Sequence, residues 1–258
     1  MSSLSLVLAI GIAVAVGCYV AFCLLLFVFQ RSLLYSPQPC ALTSSETTIQ
    51  LKATDTTLLV SVAIRNTPKA LLYFGGKAED VSLTLPSFAQ AFPDYAIFML
   101  HYRGYGGSGG RPSEAAIHRD AALLLHDVRS SFSEISVLGR SLGSGVALKL
   151  AAQAPLQRVV LITPYDSITN VAAAAYPLVP VRLLLIDRYE SVRHAPAIRV
   201  PTTLVLAEHD DVIPRQHAEN LAKHFEPGLA RVVVLPGTDH NSIQLSPDYL
   251  AILSAALR

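Results

Sequence analysis

The chain has 258 residues, of which 52% are hydrophobic and 15% are charged, and its formal net charge is +1 at pH 7. A nearly neutral chain lacks the basic surface that is typical of nucleic-acid-binding proteins. The cysteines Cys18, Cys23 and Cys40 form neither a disulfide framework nor a paired metal-ligand pattern. Once an N-terminal apolar segment is set aside, the remaining length of about 225 residues suits one α/β domain.

The first predicted element is the uncharged apolar run from Leu4 to Phe29. A run of about 26 residues is long enough to cross a bilayer with some tilt. The alternatives are a buried helix and a cleaved signal peptide, but a signal peptide has a shorter apolar core and basic residues before it. We therefore expect residues 1–31 to form a single-pass membrane anchor. Arg31 follows the run, and the positive-inside rule then places residues 32–258 in the cytoplasm.

Strands and helices alternate through the rest of the chain, after a linker that contains Pro37 and Pro39. Strands are predicted at 47–52, 58–64, 70–74, 96–100, 135–138, 158–162, 202–207 and 231–235. Helices are predicted at 83–91, 113–130, 216–225 and 247–257, and directly after Ser141. The first two strands are expected to pair antiparallel. The alternation that follows predicts a parallel sheet with right-handed crossovers, and the uniformly apolar later strands predict helices on both faces.

A G-x-S-x-G pattern lies between a predicted strand and a predicted helix, from Gly139 to Gly143. In a tight strand-to-helix turn of this kind the serine, Ser141, is strained and its Oγ is exposed. Side chains at Gly139 and Gly143 would collide with their surroundings, so glycine is expected at both positions. The N–H of Leu142 opens the helix and is a candidate oxyanion donor. The alternative is a glycine-rich turn with an idle serine.

Ser141, Asp210 and His240 each follow the end of a predicted strand, where ligands bind in parallel α/β sheets. A nucleophilic serine needs a base, and the base needs a carboxylate that orients it. His240 follows the last predicted strand and suits the base. By position alone Asp210 and Asp211 both qualify as the acid, and the other would cap the next helix. Asp166 follows an earlier strand and is a further alternative.

A second oxyanion donor is expected in the first strand–helix loop, where Gly75-Gly76-Lys77 lies. The N–H of Lys77 is the candidate, and its side chain is expected to be solvated. The segment 102–110 is also rich in glycine, but it has neither the ending of a P-loop nor a G-x-G-x-x-G at a helix start. We predict a structural loop that borders the active-site cleft.

With these motifs in place, the chain resembles the membrane-anchored ABHD-type serine hydrolases of the α/β-hydrolase superfamily over roughly Leu33 to Leu257. The matching blocks are HYRGYGGSGGRPSE, LGRSLGSGVA, ITPYDS, YPLVPVRLLLIDRY and LAEHDDVIP, in that order. The resemblance implies the α/β-hydrolase fold, with an eight-stranded, mostly parallel sheet. It also implies Ser141 as nucleophile, His240 as base and Asp210 as acid, because the family's acid precedes an acidic residue and a V-I/V-P stretch. Relatives carry His-Gly-Asn in place of Gly75-Gly76-Lys77, and Asp or Asn in place of His101.

The expected function is a membrane-anchored serine hydrolase that cleaves carboxylic esters or thioesters through an acyl-enzyme. Its expected partners are a membrane and a small-molecule or lipid-like acyl ester. Such a triad needs no metal and no organic cofactor. The alternatives are an inactive hydrolase fold that serves as an interaction module, and a peptidase or acyltransferase on the same scaffold.

Residues 164–196 form the longest excursion between predicted strands, and the resemblance implies that this insertion roofs the active site as a cap. It is rich in apolar residues from Val171 to Ile186. One interpretation is a pair of ordinary lid helices buried against the domain. The other is a cap whose apolar outer face touches the bilayer and guides a lipid-like substrate.

Overall fold

The computed structural model describes residues 3–44 and 47–258 of the chain. An eight-stranded sheet with the strand order β1-β2-β4-β3-β5-β6-β7-β8 forms its centre. The strands are β1 (Thr48–Lys52), β2 (Thr57–Ala63), β3 (Lys69–Phe74), β4 (Ala96–Leu100), β5 (Glu134–Arg140), β6 (Val159–Ile162), β7 (Thr202–Ala207) and β8 (Ala230–Leu235). β2 runs antiparallel to its neighbours β1 and β4, and the other neighbouring strands pair parallel. The predicted eight-stranded, mostly parallel sheet is confirmed.

Helices cover both faces of this sheet. Adjacent residues of each central strand point to opposite sides, and both sides are apolar, so each side packs against helices. The helices of the domain are α2 (Val81–Ala91), α3 (Glu114–Arg129), α4 (Leu142–Gln153), α5 (Ile168–Ala175), α6 (Val181–Leu184), α7 (Arg215–Ala222) and α8 (Tyr249–Ala256). In β3, Leu72 and Phe74 belong to the core cluster that includes residues of α3, α4 and α7. Leu71 and Tyr73 belong to the opposite cluster, with residues of α2 and α8.

Several helix ends differ from the predicted ones because local hydrogen bonds, not hydropathy, set them. α2 begins at Val81, since the Asp80 carboxylate accepts from the N–H of Ser82 and caps the first turn. α3 begins at Glu114 behind the predicted cap, Ser113. α7 begins after Pro214 without a side-chain cap, so the expected capping aspartate is wrong.

The N-terminal helix α1 spans Ser3–Leu34 and extends beyond the apolar run. It does so because helical bonding continues, with the N–H of Tyr35 donating to the carbonyl of Arg31 at 2.8 Å. Residues 1–2 of the predicted anchor and residues 45–46 of the predicted hydrolase domain lie outside the described residues.

The cap between β6 and β7 contains α5, α6 and two short 3-10 turns, at Ser191–Arg193 and Ala195–Ala197. Its outer face is apolar and exposed, since Leu178 and Leu183 are 84% and 83% accessible. The interpretation of the cap as lid helices buried against the domain is therefore wrong for this face. Val181 alone of the α6 residues is buried, which leaves most of that helix free of the core.

Candidate active site

The turn that holds the candidate nucleophile, here called the nucleophile turn, joins β5 to α4 at a single residue, Ser141. Its backbone has φ 50° and ψ −118°, a conformation that non-glycine residues rarely adopt. A Cβ on Gly139 would overlap the carbonyl of Gly143, and a Cβ on Gly143 would overlap the carbonyl of Phe74. Leu142 is the first residue of α4, so its N–H belongs to the turn that has no acceptor within the helix. The turn thus presents a strained serine beside an N–H suited to an anion.

We predict that Gly143→Ala lowers the free energy of unfolding by about 3 kcal/mol or abolishes folding, because its methyl group meets backbone atoms that cannot rotate away. Gly76→Ala is the matched control, since a Cβ there has no neighbour closer than 3.6 Å. Urea unfolding followed by far-UV circular dichroism measures both. Equal stability of the two variants would contradict the packing described for Gly143.

Ser141, His240 and Asp210 form one continuous chain of hydrogen bonds. His240 Nε2 lies 3.0 Å from Ser141 Oγ, and His240 Nδ1 lies 2.9 and 3.0 Å from the two carboxylate oxygens of Asp210. The side chains of His240 and Asp210 are only 7% and 3% exposed. The N–H groups of Val212 and Ile213 donate to Asp210 at 3.0 and 2.7 Å. These bonds fix the carboxylate, and the carboxylate favours the tautomer with the proton on Nδ1, which leaves Nε2 to accept from serine.

The two alternative acids lie elsewhere. Asp211 is exposed to solvent, and Asp166 lies in a separate buried group. Asp166 accepts bonds of 2.9 Å each from His217, Asn170 and Asn220. The geometry therefore brings Asp210 to His240 and assigns Asp166 to a contact between the cap helix α5 and α7. Sequence reasoning missed His217, which lies on a helix with no motif around it.

The loop after β3 passes beside Ser141 at Gly76, the residue before the predicted oxyanion donor. A Cβ on Gly76 would lie 3.7 Å from the Cβ of Ser141. The N–H of Gly76 donates to Glu79 Oε2 at 2.8 Å, so this donor is already engaged. Lys77 is exposed, as expected for its side chain, and its N–H remains the predicted donor.

The glycine-rich segment 102–110 supports this loop. Tyr102 donates its hydroxyl proton to the carbonyl of Gly75 at 2.9 Å, and Tyr105 donates to the carbonyl of Lys77 at 2.6 Å. Burial raises the pKa of Tyr102 well above its usual range and that of Tyr105 to about 12, so both remain donors at neutral pH. Positive φ angles at Gly104 and Gly106 let the segment turn tightly. It has the structural role that we predicted.

Arg140 and Glu79 form a buried ion pair next to Ser141, and sequence reasoning did not find it. Arg140 donates to Glu79 at 3.2 Å and to the carbonyl of His240 at 3.2 Å. Glu79 also accepts from the Tyr73 hydroxyl at 2.6 Å. Burial opposes the charge of Arg140, but the Glu79 carboxylate outweighs it and raises the arginine pKa. The pair joins the loop after β3 to the nucleophile turn and the histidine loop. A charged residue inside the G-x-S-x-G, at a strand end, was the available signal.

We predict that Arg140→Met lowers the free energy of unfolding by about 3–5 kcal/mol, because it leaves the Glu79 carboxylate buried without its cation. In the double variant Arg140→Met, Glu79→Gln, the loss of unfolding free energy should be at least about 1 kcal/mol smaller than the sum of the losses in the two single variants. Chemical denaturation of all four proteins closes the cycle. Strict additivity would show that the two charges do not stabilise each other.

Among residues 3–44 and 47–258, one group combines three potential metal ligands, Cys40, Asp80 and His101. His101 Nε2 lies 2.8 Å from Ser61 Oγ and 3.9 Å from Cys40 Sγ. Asp80 already accepts from neighbouring backbone N–H groups. Burial lowers the pKa of His101, which favours its neutral form. These contacts hold the segment around Cys40 against the end of β4. The proposed triad chemistry uses none of them.

Comparison with known proteins gives relatives that match part of the chain. No protein-family model matches it. It is 36% identical to the uncharacterized protein Rv2307c of Mycobacterium tuberculosis over 155 residues, which is 58% of this chain and 54% of that protein. It is 27% identical to the alpha/beta hydrolase domain-containing protein aho-3 of Caenorhabditis elegans over 192 residues, 72% of this chain and 56% of that protein. The chain thus spans about half the length of these relatives.

Solved structures show the same fold at low sequence identity. A putative hydrolase from Agrobacterium vitis superimposes with a TM-score of 0.64 at 17% identity, over 82% of this chain and 96% of that one. The esterase Pf2001 from Pyrococcus furiosus gives 0.68 at 15% identity, over 86% of this chain and 98% of that one. With the strand order, these structures show that the chain has the α/β-hydrolase fold, and in sequence it is similar to alpha/beta hydrolase domain-containing proteins of the ABHD type.

Proposed function

We propose that this protein is a membrane-anchored serine hydrolase that cleaves carboxylic esters or thioesters, with lipid-like or acylated substrates favoured. The observation that carries the proposal is the hydrogen-bonded chain from Ser141 through His240 to Asp210. Each member follows a different parallel strand, β5, β8 and β7, at the edge where this fold binds ligands. The alpha/beta hydrolase and esterase names of similar proteins support the same reaction class.

In the proposed reaction Ser141 Oγ attacks the carbonyl carbon of the ester while His240 Nε2 takes the serine proton. The N–H groups of Leu142 and Lys77 stabilise the tetrahedral oxyanion. The carbon–oxygen or carbon–sulfur bond breaks, and the leaving alcohol or thiol takes the proton from His240. Water then attacks the acyl-enzyme, His240 accepts its proton, and the acid leaves as that proton returns to Ser141. Asp210 stays ionised and stabilises the imidazolium.

The inactive-module alternative is disfavoured because proteins of that kind normally lose a member of the triad, whereas the three candidates here are in hydrogen-bond contact. A peptidase or acyltransferase would use the same three side chains. The acceptor of the acyl group separates these activities. Product analysis in the presence of water and of added alcohols distinguishes hydrolysis from acyl transfer.

The anchor rests on α1, which by length and composition qualifies as a candidate membrane span. A signal sequence near the N-terminus passes the same test. A retained anchor is supported by contacts of α1 with the folded domain: Arg31 pairs with Asp187 at 2.9 Å, and Tyr19 donates to the carbonyl of Leu178 at 2.7 Å. The positive-inside rule applied to Arg31 favours the cytoplasmic side, although Asp187 offsets that charge.

A screen of esters and thioesters graded by acyl-chain length tests the proposed reaction, with the Ser141→Ala protein as the blank. We expect hydrolysis of at least one series by the full chain and none above background by the variant. Equal rates for both proteins across every series would contradict the proposal.

A further inference from the structure

We propose that the cap segment Tyr176–Ile186 inserts into one leaflet of the bilayer beside α1, and that the enzyme takes long-chain acyl esters from that leaflet. The reaction itself rests on the proposed function. The insertion rests on separate observations, namely the contacts between α1 and the cap, the depth that those contacts impose, and the exposed apolar side chains.

The C-terminal half of α1 lies along the cap. Tyr19 donates to the carbonyl of Leu178 at 2.7 Å, and Gln30 donates to the carbonyl of Leu184 at 3.2 Å. Within α1, Cys23 is buried, and Leu26, Gln30 and Leu34 are half-buried. With Tyr19, these positions are three or four residues apart and form one stripe of the helix. The cap therefore lies alongside α1 from Leu34 back to Tyr19.

This contact fixes the depth of the cap. About 20 helical residues cross the hydrocarbon core, and every window of that length within the apolar run from Leu4 to Phe29 contains Tyr19. At 1.5 Å per residue, Tyr19 lies about 6 to 14 Å inside the nearer boundary of the hydrocarbon. Leu178 is bonded to Tyr19 and must lie at a similar depth. An anchor that spans the bilayer thus carries the cap segment into the leaflet with it.

The backbone polar groups of this contact are hydrogen-bonded within the protein, as a non-helical segment in lipid requires. Non-helical backbone within a bilayer needs protein partners because no water is there to bond it. Tyr19 bonds the carbonyl of Leu178, and Gln30 bonds both the carbonyl of Leu184 and, at 2.7 Å, the N–H of Ile186. In solution, water would satisfy these exposed groups. Two of the few polar side chains of α1 are thus used on the cap backbone.

The surface of the segment has the composition of a lipid-facing patch. Tyr176, Leu178, Leu183 and Ile186 are 61%, 84%, 83% and 52% exposed. Arg182 is the single charged residue between 176 and 186, and its guanidinium bonds Asn170 on α5. A long basic side chain at such a position extends toward the headgroups. Apolar area continuous with a membrane helix is therefore presented to the same leaflet.

The cap is hydrogen-bonded both to the nucleophile turn and to the anchor. Tyr165, at the root of the cap, donates its hydroxyl proton to the carbonyl of Leu142 at 3.0 Å. Asp187 at the other side of the segment accepts from both Arg31 and Tyr35. The cap is thus hydrogen-bonded to the anchor on one side and to the turn that carries Ser141 on the other, so the membrane-facing segment and the candidate nucleophile belong to one connected part of the domain.

The sequence has no tryptophan, so a single introduced indole reports on the cap without background. The full chain is reconstituted in phosphatidylcholine vesicles as Leu178→Trp, Leu183→Trp or the control Ile64→Trp. Ile64 is 61% exposed and follows β2 at the edge opposite the triad. We expect lipids brominated on the acyl chain to quench the first two at least about twofold and to leave the control unchanged. Quenching of all three by aqueous acrylamide, with none by brominated lipid, would overturn the insertion.

Two further measurements separate this proposal from the proposed function. A fluorophosphonate probe applied to the same vesicles reports on Ser141 independently of lipid contact. Labelling without quenching by lipid would contradict the insertion and leave the proposed function standing. The double variant Leu178→Asp, Leu183→Asp should lower the ratio of vesicle-bound long-chain ester hydrolysis to soluble short-chain ester hydrolysis by about tenfold. Ile64→Asp should keep the ratio. An unchanged ratio in the double variant would contradict substrate uptake from the leaflet.

Discussion

Replacing Ser141 with alanine is expected to lower kcat for ester hydrolysis by about 10⁶-fold, the loss found when a triad nucleophile is removed. The reason is that no other hydroxyl is bonded to His240 Nε2, among the residues that the structure describes. Ser141 is also held at a positive φ, a strained backbone conformation that is consistent with the proposed role. Activity is measured with the best substrate of the ester and thioester screen.

Ser136 provides the matched control for this substitution. It is a buried serine on β5, the strand that leads to Ser141, and its hydroxyl has no hydrogen-bond partner among the described residues. Ser136→Ala should therefore keep kcat within about twofold and should not reduce stability, because no bond is lost. Comparable losses in the two variants would show that the effect at Ser141 is structural and not chemical.

Replacing Asp210 with asparagine is expected to lower kcat by about 10⁴-fold, because the amide supports the wrong tautomer of His240 and leaves the imidazolium unstabilised. The carboxylate contacts His240 Nδ1 through both oxygens, so the change is confined to charge and proton placement. The variant should fold, since the amide oxygen can still accept from the N–H groups of Val212 and Ile213.

Asp211→Asn removes the same charge one position later and is the natural comparison. Asp211 is exposed, so its loss should change kcat less than tenfold, as expected for a surface charge. Steady-state kinetics on both variants, with circular dichroism to confirm folding, decides between them. The larger loss at Asp211 would move the acid to that residue.

The fold could be predicted because its signals are local. Buried strands such as Leu204–Ala207 read as uninterrupted apolar runs, and the helix after Ser141 carries apolar residues at a three- to four-residue spacing. The positions of Ser141, Asp210 and His240 also followed from local order, because each lies just after a strand end. Parallel strands then carry these distant positions to one edge of the sheet.

Contacts between distant polar residues could not be predicted in this way. Glu79 and Arg140 meet only because β3 and β5 are neighbours in the sheet, and no spacing within the sequence records that pairing. The same is true of Asp166 with His217, and of Arg31 with Asp187. Residue type restricts where a charge is tolerated, but the choice of partner depends on the tertiary structure.

The most direct test of the proposed function is covalent labelling of the full chain with a fluorophosphonate, followed by peptide mass spectrometry. The geometry of Ser141 and His240 predicts one stoichiometric adduct on the peptide that contains Ser141, with no adduct in Ser141→Ala and slow labelling in His240→Ala. An adduct on a different residue, or undiminished labelling of Ser141→Ala, would contradict the assignment of the nucleophile.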